Sequence, residues 1–174
     1  YNDYSMDNPD KQRFVVRAIQ KLRKNGVNVD GVGMQLHAAL DGPSVDQVEA
    51  AILRFARADL RVHITELDLD VLPQVSDYTG ADISTNYKYA KKLNPYTAGL
   101  PESVEAQHTK RYTELFELFV KHRDKIDRIS TWGTTDGESW KNGWPIKGRT
   151  NYPLLFDREY KPKKAYYSIK SLKS

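Results

Sequence analysis

The chain has 174 residues, 39% hydrophobic and 11% aromatic, a composition that fits one globular domain with a real core and leaves no length for a second full-sized one. Its 27 Lys and Arg against 23 Asp and Glu give a net charge of +4 that is spread along the chain, so no nucleic acid partner is expected. No apolar run approaches the roughly 20 residues of a membrane span, and zero cysteines with four histidines that lack ligand spacing indicate neither a metal site nor a cofactor.

Strand and helix signals alternate in the first half of the chain. Residues 1–4 predict the end of a strand, after which Asn8 is suited to cap a helix and Pro9 to begin it. The predicted apolar face of this helix consists of Phe14, Val15, Ala18, Ile19 and Leu22. A second strand is predicted over residues 30–37.

The same alternation continues to the C-terminus. Ser44, with Gln47 three residues later, forms a capping box at the start of a second helix. Its predicted apolar face consists of Val48, Ala51, Ile52 and Phe55. The remaining predicted elements are a strand over 61–67, a long helix from about Ser103 to Arg123, a strand over 127–133 and a closing helix over 162–173.

Four strand-helix units imply a parallel sheet, and units of this size suit a (β/α)8 barrel or a doubly wound sheet. Half of such a barrel would expose two strand edges and an open interior, so a solitary monomer is not expected. The stretch from Asp68 to Glu102 has no clear periodicity and is expected to be a functional loop or to be disordered. Its tyrosines are Tyr78, Tyr87, Tyr89 and Tyr96.

The candidate chemistry lies where two predicted strands end. Because residues two apart on a strand share a face, Gly33, Gln35 and His37 are predicted to point inward together. The corresponding face of the next strand is predicted to carry Val62, Ile64, Glu66 and Asp68. In a barrel His37, Glu66 and Asp68 would meet at the functional rim, where an oriented carboxylate serves as nucleophile or general base.

Purely structural roles for these residues stay open on the pattern alone. His37 is equally typical of a buried histidine with satisfied hydrogen bonds, and Glu66 of a structural ion pair. Trp132, which closes the fourth strand, and Trp140 are typical either of a core or of a rim on which sugar rings stack. Tyr4 ends its own strand in the same way.

Four segments together resemble one known family. The segments resemble, in order and spacing, the second half of the family 10 glycoside hydrolases, which are endo-β-1,4-xylanases. They are "GVGMQLH", "HITELDLD", "TWGTTDGESW" and "YPLLFDREYKPKKAYYSI". The resemblance covers residues 1–174, as the C-terminal half of a catalytic domain. It implies an α/β fold, half of a (β/α)8 TIM barrel with strands 5 to 8 and their helices.

The resemblance also implies residue roles. Glu66 would be the nucleophile of a retaining mechanism, forming a covalent glycosyl-enzyme that water then hydrolyses. His37 and Asp68 would form the hydrogen-bonded chain that orients it. The implied substrate-binding residues are Gln35, Trp132, Trp140 and Tyr4, with Gln35 beside the cleavage point and Tyr4 on the leaving-group side. The implied substrate is xylan or a xylo-oligosaccharide.

One departure from the family affects activity. The family's acid/base glutamate lies in an Asn-Glu pair at the end of the fourth strand, and this sequence contains no Asn-Glu dipeptide. Because a retaining glycosidase needs two carboxylates about 5 to 5.5 Å apart, the chain alone is expected to be inactive or nearly so. Its partner would be the missing N-terminal half of the barrel, supplied in cis or in trans.

Two further functions remain open at this point. The chain would be a non-catalytic xylan-binding fragment if Glu66 is vestigial, or part of a hydrolase of another β-linked glycan. Because the family acts on extracellular polysaccharide, the parent protein is expected to be secreted or to lie at the cell surface or in the periplasm, although no targeting signal is recognised in this sequence.

Overall fold

The computed structural model describes residues 1–73, 92–145 and 147–172. The predicted alternation of strand and helix is confirmed. The elements are β1 (Asn2–Tyr4), α1 (Pro9–Lys24), β2 (Gly31–Ala39), α2 (Val45–Arg57), β3 (Arg61–Asp70), α3 (Glu102–Lys121), β4 (Ile126–Thr131) and α4 (Lys164–Lys170). Two short 3-10 turns, Asp136–Glu138 and Trp140–Asn142, lie between β4 and α4. Of the loop tyrosines, Tyr78, Tyr87 and Tyr89 lie outside the described residues.

The four strands form one sheet in the order β1-β2-β3-β4. β1 runs parallel to β2, and β3 runs parallel to β4. Strands that follow one another across the sheet in chain order, each with a helix after it, are typical of consecutive units of a barrel, whereas a doubly wound sheet reverses its order at a switch point. The strand order therefore favours the barrel over the doubly wound alternative.

The predicted caps of the first two helices are present. The Asn8 side chain accepts hydrogen bonds from the backbone N–H groups at the start of α1, and Ser44 and Gln47 make both bonds of the capping box at α2. The apolar face of α2 is completely buried, as predicted, at Val48, Ala51, Ile52 and Phe55.

The predicted apolar face of α1 was wrong at its margins. Phe14 and Leu22 are 64% and 44% exposed, whereas the buried positions are Gln12, Val15 and Ile19. Gln12 is buried because its polar atoms are satisfied: Nε2 donates to the carbonyl oxygen of Met6 at 3.1 Å, and Oε1 accepts from Nε of Arg54 at 2.8 Å. A hydrogen-bonded amide thus occupies a buried position that the predicted apolar face did not include.

The chain divides into two compact units. The first contains Tyr1–Asp68 and Glu114–Trp132, and the second contains Leu69–Thr113 and Gly133–Leu172. In the second unit Tyr112 is fully buried, and its hydroxyl donates to the carbonyl oxygen of Pro153 at 2.7 Å. Within the described ranges, no helix has the length and apolarity needed to cross a membrane, and no three His, Asp or Glu side chains cluster closely enough to hold a metal.

Candidate active site

The backbone of β3 carries a β-bulge at Glu66. Ile64 pairs with Ile129 of β4, but the next pair is Leu67 with Thr131, so β3 advances three residues while its partner advances two. At the bulge Glu66 has a φ of 62°, in the left-handed region that non-glycine residues rarely occupy. Such a conformation costs on the order of 1–3 kcal/mol, and strain of this kind clusters at functional sites.

Because of the bulge, the side chains of β3 are distributed between its two faces differently from the prediction. Val62 and Ile64 are fully buried, and after the bulge Leu67 continues that buried side, also at 0% exposure. Glu66 is partly exposed and lies on the opposite face from Val62 and Ile64, so the expectation that these three share a face was wrong. The extra residue reverses the two-residue alternation, and Glu66 and Asp68 consequently reach the same histidine.

Glu66, His37 and Asp68 form a continuous chain of polar contacts. Nε2 of His37 lies 3.2 Å from Oε2 of Glu66, and Nδ1 of His37 lies 3.0 Å from Oδ1 of Asp68. The Asp68 side chain is fully buried, whereas 14% of the Glu66 side chain remains exposed. The histidine thus connects an inaccessible carboxylate to one that solvent and ligands can reach, and it donates to both only when both ring nitrogens carry a proton.

Trp132 follows β4 and stands beside this chain. Its backbone N–H donates to the carbonyl oxygen of Leu67 at 2.9 Å, which extends the pairing of β3 with β4 beyond the last strand residue. The indole meets the ring of His37 edge-on, with centroids 6.5 Å apart, and 47% of Trp132 remains exposed. An apolar ring that packs on the polar chain is therefore also open to solvent.

Gln35 and Tyr4 lie side by side on the neighbouring strands β2 and β1. They are register partners, and Tyr4 is 64% exposed. The ammonium group of Lys11 lies 3.9 Å from the centroid of the Tyr4 ring and 3.0 Å from Oδ2 of Asp3. Lys11 therefore covers one face of Tyr4. Sequence reasoning missed this lysine because a charged residue in the first turns of an exposed helix gives no distinct signal.

The carboxylate of Asp3 connects Lys11 to the N-terminal residue. The Tyr1 hydroxyl donates to Oδ2 of Asp3 at 2.5 Å. The hydrogen bond from Tyr1 is the main reason that the pKa of Asp3 lies below its usual value, and the hydrogen bond from Lys11 is the second. The bond between Tyr1 and Asp3 also raises the pKa of Tyr1 to about 12. Asp3 is therefore ionised around neutral pH and keeps Lys11 in place.

Trp140 belongs to the second compact unit and is 37% exposed. It stacks beside Trp144, whose ring is inclined by 18° with the two centroids 6.4 Å apart. Nζ of Lys141 lies 5.2 Å from the Trp140 ring. Sequence reasoning did not single out Trp144; a third tryptophan so close to Trp140 was the available signal.

The segment around Trp140 is fastened by a buried ion pair. Nζ of Lys163 lies 3.0 Å from Oδ2 of Asp136 and donates to the carbonyl oxygens of Tyr152 and Leu154, each at 2.8 Å. Asp136 also accepts the backbone N–H of Leu154 at 2.8 Å. Burial raises the pKa of Asp136 and lowers the pKa of Lys163, the loss of hydration outweighing their attraction. The pair lies within two of the segments that suggested the family.

Comparison with known proteins identifies close relatives. Glycosyl hydrolase family 10 matches residues 1–172. The chain is 45% identical, over 94% of its length, to endo-1,4-beta-xylanase A of Xylanibacter ruminicola, of which it covers 44%. It is 36% identical, over 97% of its length, to a thermostable celloxylanase of Thermoclostridium stercorarium, of which it covers 39%. Among solved structures, a GH10 endoxylanase retrieved from a sugarcane soil metagenome superimposes with a TM-score of 0.88 and 50% identity, over 97% of this chain and 47% of that one. The chain thus spans a little under half the length of the relatives it matches.

Proposed function

The chain belongs to glycosyl hydrolase family 10, and from that premise we propose that residues 1–174 are the C-terminal half of the catalytic domain of an endo-1,4-β-xylanase. In this proposal β1 to β4 are strands five to eight of a (β/α)8 barrel. The parallel pairings and the unreversed strand order support it. So does the share of its relatives that the chain covers.

The observation that carries the proposal is the chain of contacts from buried Asp68 through His37 to Glu66. In the proposed reaction Glu66 attacks the anomeric carbon of a xylose unit, and the bond from that carbon to the leaving-group oxygen breaks. A carboxylic acid of the missing half protonates that oxygen, and the same group then takes a proton from the water that cleaves the glycosyl-enzyme. His37 orients the attacking carboxylate.

The proposed sugar contacts are Gln35 beside the cleavage point, Tyr4 on the leaving-group side, and Trp132 and Trp140 as stacking surfaces for xylose units. Exposed aromatic faces suit the C–H faces of pyranose rings, and Trp132 is 47% and Tyr4 64% exposed. Because Lys11 already covers one face of Tyr4, only the other face is available to a sugar.

The test supplies what the chain lacks. We expect the isolated chain not to hydrolyse xylan or an aryl xylobioside, and we expect activity when it is joined in one polypeptide to the N-terminal half of the Xylanibacter ruminicola relative. Glu66→Gln should abolish that activity, and His37→Gln should lower kcat by about 10² or more because the nucleophile loses its orientation. Turnover by the isolated chain, or an active Glu66→Gln variant, would contradict the proposal.

A matched control exists in the same unit. Glu49 and His122 form another carboxylate-imidazole pair, with Oε1 of Glu49 2.6 Å from Nε2 of His122. Neither residue belongs to the proposed site, so Glu49→Gln should leave kcat unchanged. An equal loss in Glu49→Gln and His37→Gln would show that broken pairs act through folding, and it would remove the support for the catalytic role of His37.

A second candidate function is hydrolysis of β-1,4-linked glucan in addition to xylan. The name celloxylanase, given to the 36% identical relative, favours it. Rates of the joined enzyme on xylan and on carboxymethylcellulose separate the two candidates. A joined protein that binds xylan but never cleaves it would instead indicate the non-catalytic binding fragment. For any of these polysaccharide substrates we propose that the parent protein is exported.

A further inference from the structure

The geometry points to a second sugar-binding residue in the second unit. We propose that Trp144 and Trp140 form a two-ring surface, the tryptophan pair, that binds pyranose rings of a neutral β-1,4-linked polysaccharide. The inference rests on the proposed function for the class of ligand. It assigns to Trp144 a role that was not predicted from the sequence and that is not part of the contacts among Glu66, His37 and Asp68.

The two rings do not bury each other. Trp144 is 59% exposed and Trp140 is 37% exposed, although their planes are inclined by only 18°. A centroid separation of 6.4 Å is at the long end of the range for offset stacking and well beyond full face-to-face contact. Each indole therefore keeps ring surface that solvent reaches.

The Trp144 end of the pair is fixed by a buried cation. Arg149 is only 5% exposed, and its guanidinium donates to the carbonyl oxygen of Trp144 at 3.5 Å and to that of Leu93 at 3.2 Å. An arginine that spans two separate backbone segments restricts the segment that carries Trp144. The backbone at Trp144 is consequently restrained, and its indole is 59% exposed.

The Trp140 end is fixed in a similar way. Lys141 is 7% exposed, with Nζ 3.7 Å from Oδ2 of Asp70 and 5.2 Å from the Trp140 ring. Asp70 also accepts from the side-chain amide of Asn151 at 2.8 Å. Buried charged groups therefore restrain the chain beside both exposed rings, and a preordered surface loses little conformational entropy when a ligand binds.

The chemistry of the pair selects an uncharged ligand with flat apolar faces. The neighbouring cations, Lys141 and Arg149, are directed inward to Asp70 and to backbone carbonyls, so they do not present charge at the surface. Stacking on C–H faces is then the main interaction that the rings offer. Membership of a glycoside hydrolase family makes a polysaccharide the occupant with direct support, ahead of a second copy of this chain.

The test is affinity electrophoresis of the 174-residue chain through gels that contain soluble xylan, with all variants in the Glu66→Gln background. We expect Trp144→Ala to weaken retardation by xylan about tenfold and Trp144→Phe to have an intermediate effect, because a smaller aromatic face remains. Tyr167→Ala is the matched control, since Tyr167 is 58% exposed in the same unit but lies outside the pair. It should bind as the parent chain does.

Several outcomes overturn the inference. These are unchanged retardation in Trp144→Ala, no retardation of the parent chain, and a loss in Trp144→Phe as large as in Trp144→Ala together with a lowered unfolding midpoint. A Trp144→Ala effect on sedimentation but not on retardation would assign the surface to self-association. If Trp144→Ala weakens retardation but the joined enzyme has no xylanase activity, the proposed function is overturned and the inference on the tryptophan pair is retained. An active joined enzyme with unchanged retardation would overturn the pair alone.

Discussion

Replacing Lys163 by methionine should destabilise the protein by about 3 to 5 kcal/mol at pH 7, the usual cost of removing one partner from a buried ion pair. The variant leaves the carboxylate of Asp136 fully buried without its ammonium partner. It also removes the donor to the carbonyl oxygens of Tyr152 and Leu154, each of which Lys163 contacts at 2.8 Å. The backbone N–H of Leu154 still donates to Asp136 and offsets part of the loss. Methionine matches the length of the lysine stem, so the packing term stays small.

The sign of the pH effect provides a second readout. Burial already raises the pKa of Asp136, and removal of the neighbouring ammonium raises it further. A group whose folded pKa is raised contributes more stability at low pH and loses it as pH rises through the folded pKa. The penalty of Lys163→Met should therefore be smaller at pH 5 than at pH 7.

The assay is urea unfolding followed by circular dichroism at both pH values. The control is Lys164→Met. Lys164 is the adjacent lysine, and its side chain is 60% exposed and pairs with Glu105 at 2.8 Å. The unfolding midpoint of this variant should match that of the parent protein. Asp136→Asn combined with Lys163→Met should recover part of the loss, because the buried charge is then gone. A Lys163→Met penalty no larger than that of Lys164→Met, or one that grows at pH 5, would refute the reasoning.

Three further predictions concern stability. Glu66→Gly should be more stable than Glu66→Ala by about 1 kcal/mol in urea, because glycine adopts a positive φ without strain; equal midpoints would argue against strain at this position. Burial lowers the pKa of His108 well below 6.5, so stability should fall as pH drops below 6.5, by up to about 1.4 kcal/mol per pH unit, and thermal unfolding of His108→Leu should lose this dependence; an unchanged slope would contradict it. Phe55→Ala should cost about 3 to 5 kcal/mol in urea, since Phe55 is completely buried in α2, and a loss below 1 kcal/mol would mean that the site collapses around the cavity.

Much of the fold was accessible from the sequence because its signals are local. The capping box at Ser44 and Gln47 acts within one turn, and the buried face of α2 follows from helical periodicity alone. The expected meeting of His37 with Glu66 required only that neighbouring strands end at one rim.

The remaining features depend on contacts between distant residues. The bulge at Glu66 is defined by pairing of β3 with β4, and the preceding alternation of Val62 and Ile64 gives no warning of it. Gln12 is buried through a hydrogen bond with Arg54, which periodicity does not register. The backbone at Trp144 contacts Arg149, a residue that carries no distinct signal in the sequence.

His37, Glu66 and Asp68 all lie on β2 and β3, which α2 connects, so the proposed nucleophile and both residues behind it occupy one uninterrupted strand-helix-strand segment. Recombination between family members at the connection that precedes Gly31 would transfer this group intact, including the bulge that turns the carboxylate. Residues that precede this connection, Tyr4 among them, would be exchanged independently. Diversification of sugar preference by such recombination would therefore be compatible with an unaltered proposed nucleophile.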